Sequence, residues 1–334
     1  MAAEWLYEAG IGEERAIFVS GGRILSARIG WGDPLRPGLV SEAQLIKRFG
    51  GTRRGLVRLD VAEGAAREAL IDQLPREATE GVRLTVRVTR AAILERGRHK
   101  LPVARPAPGE TPRQAPTLRA EIEATGARLR ALPTTANDFS RHGWDELVEQ
   151  AQTGEIAFPG GSIIVSPTPA MTLIDIDGAL PPVKLALAAV PAIADALHRL
   201  DIGGSVGIDF PTMADKADRQ MIDKALANAL IDWQGERTGM NGFGFVHLVS
   251  RLERPSLVAL MARQPAAAAA RVLLRQAERV SEPGLLLLSA NPRVLDAISA
   301  EWEAELARRT GRAVRRKADP ALALGGGFAQ AIAQ

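Results

Sequence analysis

Two apolar segments that end in aspartate constrain this chain more than anything else in it. Residues 171–177 (MTLIDID) read as a strand, and 205–210 (SVGIDF) reads as a second, closing on Asp209. Between them, 185–200 carries a helical pattern in which Pro191 removes a hydrogen bond. A strand at 162–165 precedes them, and an amphipathic helix at 214–233 and a strand at 243–250 follow. The order hairpin, helix, strand, helix, strand predicts an α/β layout.

Asp175 and Asp177 stand two apart in their strand, so both side chains point to one face. Asp209 lies at the C-terminal end of the other strand, where open α/β sheets form their ligand crevices. If the two strands are neighbours, three carboxylates gather at one sheet edge, and a bound divalent cation relieves their repulsion. A few all-oxygen donors suit magnesium, with manganese as a substitute. The plainer alternative is that these aspartates are turns and caps, since Asp177-Gly178 is itself a turn dipeptide. Asp201, just before Gly203-Gly204, reads as a helix-end or turn residue.

The first third of the chain reads as β-rich. Residues 16–31 form a hairpin pattern around Gly21-Gly22, and short strands are predicted at 38–40, 43–46, 55–59 and 82–88. Such a series suggests a small barrel of the oligonucleotide-binding type. Residues 102–116 (PVARPAPGETPRQAP) read as a linker or extended arm. Helices are expected at 118–132 and 143–153, then at 266–280 and 292–309 before a glycine-rich tail. Gly325-Gly326-Gly327 in that tail reads as a flexible turn.

Other chemistries find little support. The chain has no cysteine, which removes disulfides, thiolate zinc sites and cysteine nucleophiles, and fits a reducing compartment. The four histidines lie far apart without metal-binding spacing. No membrane-length apolar run occurs and the N-terminus lacks a secretory pattern, so a soluble cytoplasmic protein is expected. From Arg83 to Arg130 there are eleven basic residues and four acidic ones, which predicts either a local positive field or a solvated arginine-rich surface. Aromatics are scarce; Trp5, Tyr7 and Trp31 read as core rather than stacking surfaces.

Three ordered blocks resemble the ribonuclease E/G family. They are PGGSIIVSPTPAMTLIDID at 159–177, IADALHRLDIGGSVGIDF at 193–210 and NGFGFVHLVSRLERPSL at 241–257. The resemblance implies a mixed α/β (α+β) fold with an N-terminal β-rich region, an OB-type RNA-binding barrel, and then a DNase I-like/RNase H-like α/β nuclease region. It divides the chain into an RNase H-like hairpin region at 1–36, the barrel at 37–105, a linker with short helices at 106–158, a DNase I-like catalytic domain at 159–264, and a helical region with a tail at 265–334. It implies a magnesium-dependent endoribonuclease acting on single-stranded RNA, with Asp175 and Asp209 as metal-binding carboxylates. Asp177 stands where the family has an asparagine and joins the catalytic set. By the same resemblance Arg96, Arg98 and Lys100 are expected to contact RNA phosphates. Arg219 and Lys216, just past the second catalytic strand, share a helix face and are further candidates, with a solvated surface as the plainer role.

Two family features have no counterpart: the Arg-Thr-Ala-Gly signature that senses a 5′-monophosphate, and the paired cysteines that link subunits through zinc. No zinc-held oligomer is expected. The rival reading is an RNA-binding protein of the same fold that has lost turnover.

Overall fold

The computed structural model describes residues 3–61, 68–95 and 98–333. The chain folds into two compact units, each built from separated segments. One comprises Met1–Gly32, Ile122–Gln152 and Leu260–Gln334; the other comprises Asp33–Glu121 and Thr153–Ala259. Together they are a mixed α/β protein with a β-rich N-terminal part.

In the second unit, strands Val40–Phe49, Arg54–Leu59, Glu68–Ile71, Arg83–Arg90 and Val103–Pro106 close into a barrel. Counted along the chain, the circuit runs first, second, third, fifth, fourth and back to first. Alternation along these strands turns Leu45, Val57, Leu59, Ile71, Val86, Val88 and Ala104 into a common core. The barrel expected from the sequence is therefore present, and its closing strand lies in the stretch that reads by composition as a linker, at the end of the 37–105 bounds that the resemblance implies. Val103–Pro106 pairs parallel to Glu68–Ile71 and antiparallel to Arg83–Arg90. Closure needs only backbone pairing and two small apolar side chains, Val103 and Ala104, both buried. Further along the same stretch, Val40 and Arg113 exchange backbone hydrogen bonds of 3.0 and 2.9 Å, so the arm is strapped to the barrel.

The same unit holds a six-stranded sheet in the order Glu155–Phe158, Gly161–Pro167, Thr172–Gly178, Ser205–Asp209, Phe245–Ser250, Gly235–Arg237. Only Thr172–Gly178 and Ser205–Asp209 run parallel, joined through helix Pro182–Arg199. That helix begins at a proline, tolerated in the first turn, and its Pro191 lies on the exposed side. Its apolar stripe, including Leu185, Ala189, Ile193 and Leu197, is buried, and it packs beside helix Lys216–Ala229. The sheet strands bury Ile163, Val165, Ile174, Ile176, Val206, Ile208, Val246 and Leu248. The alternate residues Ile164, Leu173, Asp175, Asp177, Asp209 and Val249 face outward and are exposed. One face of this sheet is core and the other is open.

In the first unit, strands Glu13–Ser20 and Arg23–Gly30 form the expected hairpin, turned by Gly21 and Gly22 with φ of 57° and 81°. Glu4–Gly10 pairs with Glu13–Ser20 and, in parallel, with Leu129–Ala131. The helix expected over 118–132 stops at Glu123, and after Gly126 (φ 72°) the chain continues as that strand. The C-terminal part is not purely helical either. Leu285–Ala290, Val314–Ala318 and Phe328–Ile332 form a three-stranded sheet beside helix Pro265–Glu278, so the expected tail is partly a strand. The helix expected at 292–309 is two, Pro292–Asp296 and Ala300–Thr310, because Ser299 caps the second by accepting from Trp302 N at 3.2 Å. Among the described residues no single helix is long and apolar enough to cross a membrane.

Candidate active site

Asp175 and Asp209 are direct Cα partners across the one parallel strand pair of the sheet. Adjacent strands lie about 4.8 Å apart, so the two carboxylates emerge side by side on the open face. The row continues through Ile164 on one flank and Phe245 on the other. Asp175 Oδ1 accepts from Ile176 N at 2.9 Å. Among the described residues neither aspartate is held by an arginine or lysine.

Asp177 shares this face but lies one pleat further on, about 7 Å along the strand. Its neighbour strand ends at Asp209, so Asp177 has no residue opposite it on that side, and its Oδ1 accepts from Gly178 N at 2.8 Å. The expected convergence of three carboxylates is therefore a pair with a third group one step away. Among the described residues no three or more histidine, aspartate or glutamate side chains gather to hold an ion. A pair of hard oxygen ligands is still what magnesium uses when it keeps several waters.

The glycines of the second block serve close approach. At Gly207, between the two rows of the open face, an added Cβ would lie 2.4 Å from the Phe245 ring, so the bare backbone lets that ring lie across the strand. The Asp201-Ile202-Gly203-Gly204 turn of the second block and the Arg254-Pro255-Ser256-Leu257 end of the third meet in one structural knot. Asp201, at φ 51° just past the helix end as expected, lies 3.6 Å from Arg254 Nε, and Arg254 Nη1 donates to Glu121 at 2.7 Å. Although burial opposes it, the surrounding carboxylates of Asp201, Glu121 and Glu253 hold the Arg254 guanidinium more firmly protonated than usual. Leu257 N donates to Leu200 O at 2.9 Å, completing the junction. These motif residues hold the strand carrying Asp209 in place.

Lys100 sits in the small hairpin Ile93–Glu95 with Arg98–Lys100, between the fourth and fifth barrel strands. Its Nζ pairs with Glu95 at 2.5 Å and donates to Pro169 O at 3.0 Å. Pro169 precedes the Thr172–Gly178 strand, so this contact lies more than about 10 Å of strand rise from Asp175. Arg96 lies outside the described residues, and the Arg98 side chain is likewise not described. Arg219 turns its Nη1 back onto the carbonyls of Met213 and Ala214 at 2.6 and 2.9 Å, bracing the loop that leaves Asp209. Lys216 is exposed at the start of the same helix. The positive window at 83–130 is partly neutralised: Arg83 pairs with Asp60, Arg87 and Arg113 with Glu110, and Arg128 and Arg130 with Glu4.

Among the aromatics, Trp5 and Tyr7 are buried, and Trp31 is covered by the Arg271 guanidinium at 4.2 Å. The histidines stay apart; His247 Nε2 meets Ser205 Oγ at 2.7 Å, away from Asp209. Sequence reasoning passed over Phe243, in the loop that leads into Phe245–Ser250. It is 84% exposed. The available signal was an aromatic residue set among turn residues, Asn241-Gly242-Phe243-Gly244.

Residues 114–249 match the model described as the Ribonuclease E/G family. The match includes Asp175, Asp177, Asp209 and Phe243, and it begins within the stretch expected to be a linker. A search of curated proteins finds no match to the chain.

Proposed function

We propose that this chain, which residues 114–249 assign to the ribonuclease E/G family, is a magnesium-dependent endoribonuclease acting on single-stranded RNA. The observation that carries this reading is the parallel register of Asp175 with Asp209 on an open sheet face, both without cationic partners among the described residues. Asp175 and Asp209 would hold magnesium, or manganese in its place; when bound, the ion activates a water and offsets charge on the scissile phosphate. Asp177, with Oδ1 engaged by Gly178 N, keeps Oδ2 for a water or a substrate hydroxyl.

The barrel would hold the strand. Its circuit of first, second, third, fifth and fourth strands supports an OB-type reading, and Lys100 lies in the fourth-to-fifth connection, one of the loops by which such barrels bind oligonucleotides. The six-stranded sheet is read as the DNase I-like nuclease part, and the strands at 4–30 as the RNase H-like hairpin. Asp177 in the position of the family asparagine is the specific feature that favours the second reading, an RNA-binding protein with weakened turnover.

End-labelled single-stranded RNA, incubated with magnesium or with EDTA, separates the two. The wild type should cut only with magnesium, and Asp175→Asn and Asp209→Asn should each lower the rate at least about 100-fold, the scale of several kcal/mol supplied by a bound ion. RNA binding that persists without magnesium-dependent products supports the second reading. Equal cleavage of matched DNA argues against specificity for RNA.

A further inference from the structure

Phe243 is the most exposed aromatic side chain among the described residues, yet its backbone is firmly held. Asn241 Oδ1 accepts from both Phe243 N and Phe245 N, at 2.9 and 3.0 Å. Asn241 N donates to Phe245 O at 3.0 Å, and Gly244 N donates to Asn241 O at 3.2 Å. Gly244 adopts φ 88°, and an added Cβ there would lie 2.9 Å from Phe210 O. Phe210 N in turn donates to Gly244 O at 3.2 Å, so the loop is pinned to the residue after Asp209.

Isolated exposed apolar side chains are ordinary, and Ile231 at 80% is one. Position and shape set Phe243 apart. Phe245 pairs with Asp209, and Phe243 is two residues before it, so its Cα lies within about 12 Å of the Asp209 Cα by backbone steps and cross-strand spacing. A flat apolar ring on a braced loop beside a carboxylate pair matches the face of an unstacked base, and such stacking works without reading sequence. Among the described residues only Phe328, at 44%, is another exposed aromatic ring, and Trp5, Tyr7, Phe139, Trp144 and Phe210 are buried.

We infer that Phe243 is a stacking platform for a nucleotide next to the phosphate that a metal ion at Asp175 and Asp209 would engage. This assignment rests on the ribonuclease reading above and adds a base contact to it. Phe243 positions RNA; it takes no part in bond breaking.

The test uses the full chain and a labelled single-stranded RNA, with binding followed by fluorescence anisotropy in EDTA. Abasic sites are introduced one position at a time. Phe243→Ala should weaken binding about 5- to 150-fold, the range expected for losing one stacked base, and Phe243→Trp should restore it. At one position the abasic site should weaken wild-type binding by a similar factor and leave Phe243→Ala unaffected. With magnesium, Phe243→Ala should raise KM while kcat stays near the wild-type value.

Binding by Phe243→Ala within about twofold of wild type overturns the assignment, as does an abasic penalty equal in both proteins at every position. Asp175→Asn and Asp209→Asn run in parallel keep the two readings apart. If they cut as well as wild type, the metal-site reading fails while the abasic comparison still decides the stacking. A wild type that neither binds nor cuts RNA overturns both.

Discussion

Arg15 is 1% exposed, and its Nε and Nη2 donate to Glu8, which is fully buried, at 2.9 and 2.5 Å. The guanidinium also lies 4.2 Å from the Phe139 ring and 4.8 Å from Trp144. Arg275 pairs with the buried Glu13 and approaches Glu8 at 3.8 Å. Burial already pushes the Glu8 carboxyl up against the pull of Arg15, while Glu13 is held below the usual range because Arg275, Arg15 and Arg271 outweigh its burial. Burial lowers Arg15 itself to about 10, with Arg275 adding to the effect.

Arg15→Met keeps much of the apolar stem but takes both hydrogen bonds from Glu8 and leaves it only the more distant Arg275, and breaking one side of a buried pair costs about 3–5 kcal/mol. Taking about 4 kcal/mol and a urea slope of about 3 kcal/mol per molar, the unfolding midpoint should fall by roughly 1.3 M. The penalty should also depend on pH. A carboxyl whose folded pKa is raised loses stability as pH climbs from its unfolded value through its folded one, and without Arg15 that folded value rises further. The Arg15→Met penalty should therefore be larger at about pH 8 than at about pH 5, because a lower pH favours protonation of the stranded Glu8. The double variant Glu8→Leu/Arg15→Met should recover most of the loss, since replacing both partners removes the stranded charge. Urea unfolding followed by circular dichroism at the two pH values checks this. A single-variant cost below about 1 kcal/mol, or a double variant no better than the single, refutes the reasoning.

Three further outcomes follow from the second unit. Arg237 holds the Asp223 carboxyl below the usual range by hydrogen bonding, with Met240 N adding to this, so the stability it gives is present above the unfolded carboxyl pKa and lost as pH falls through the lower folded one. Asp223→Asn should thus destabilise the protein by about 1–2 kcal/mol at neutral pH, with the gap to wild type closing below about pH 4, as thermal unfolding across pH will report. Lys100 is already neutralised by Glu95, so Lys100→Met should change the salt dependence of RNA binding by less than the slope of about 0.7 expected of one free phosphate contact. The same variant should speed proteolysis of the hairpin that Lys100 ties to Pro169.

Strands with full alternation were legible from the sequence. In the carboxylate strand the alternation holds over its second half, where Ile174 and Ile176 had to go inward, which sent Asp175 and Asp177 outward. The register of Asp175 against Asp209 was anticipated only as a condition, because pairing between strands separated by a helix is decided by packing. The barrel's closing strand was illegible for the opposite reason. Val103–Pro106 is short, ends in proline and contributes mainly backbone, so its composition resembles a linker. Residues 118–132 suit a helix by composition, but tertiary pairing with Glu4–Gly10 claims Leu129–Ala131 as a strand. At the site, charged side chains advertised themselves, whereas Phe243 carried no periodic signal in its turn.

The pairing of Glu13 with Arg275 joins residues 262 positions apart, and Gly12 O accepts from Arg271 Nε at 2.9 Å. Synthesis runs from one end, so the first hairpin leaves the ribosome long before either arginine exists. Until then Glu13 has no Arg275 to face, and the strands at 4–30 lack the segment that completes their unit. The barrel and the six-stranded sheet, by contrast, have all their strands once residue 250 has emerged. The interior of this chain can therefore mature first, while its two ends wait for each other.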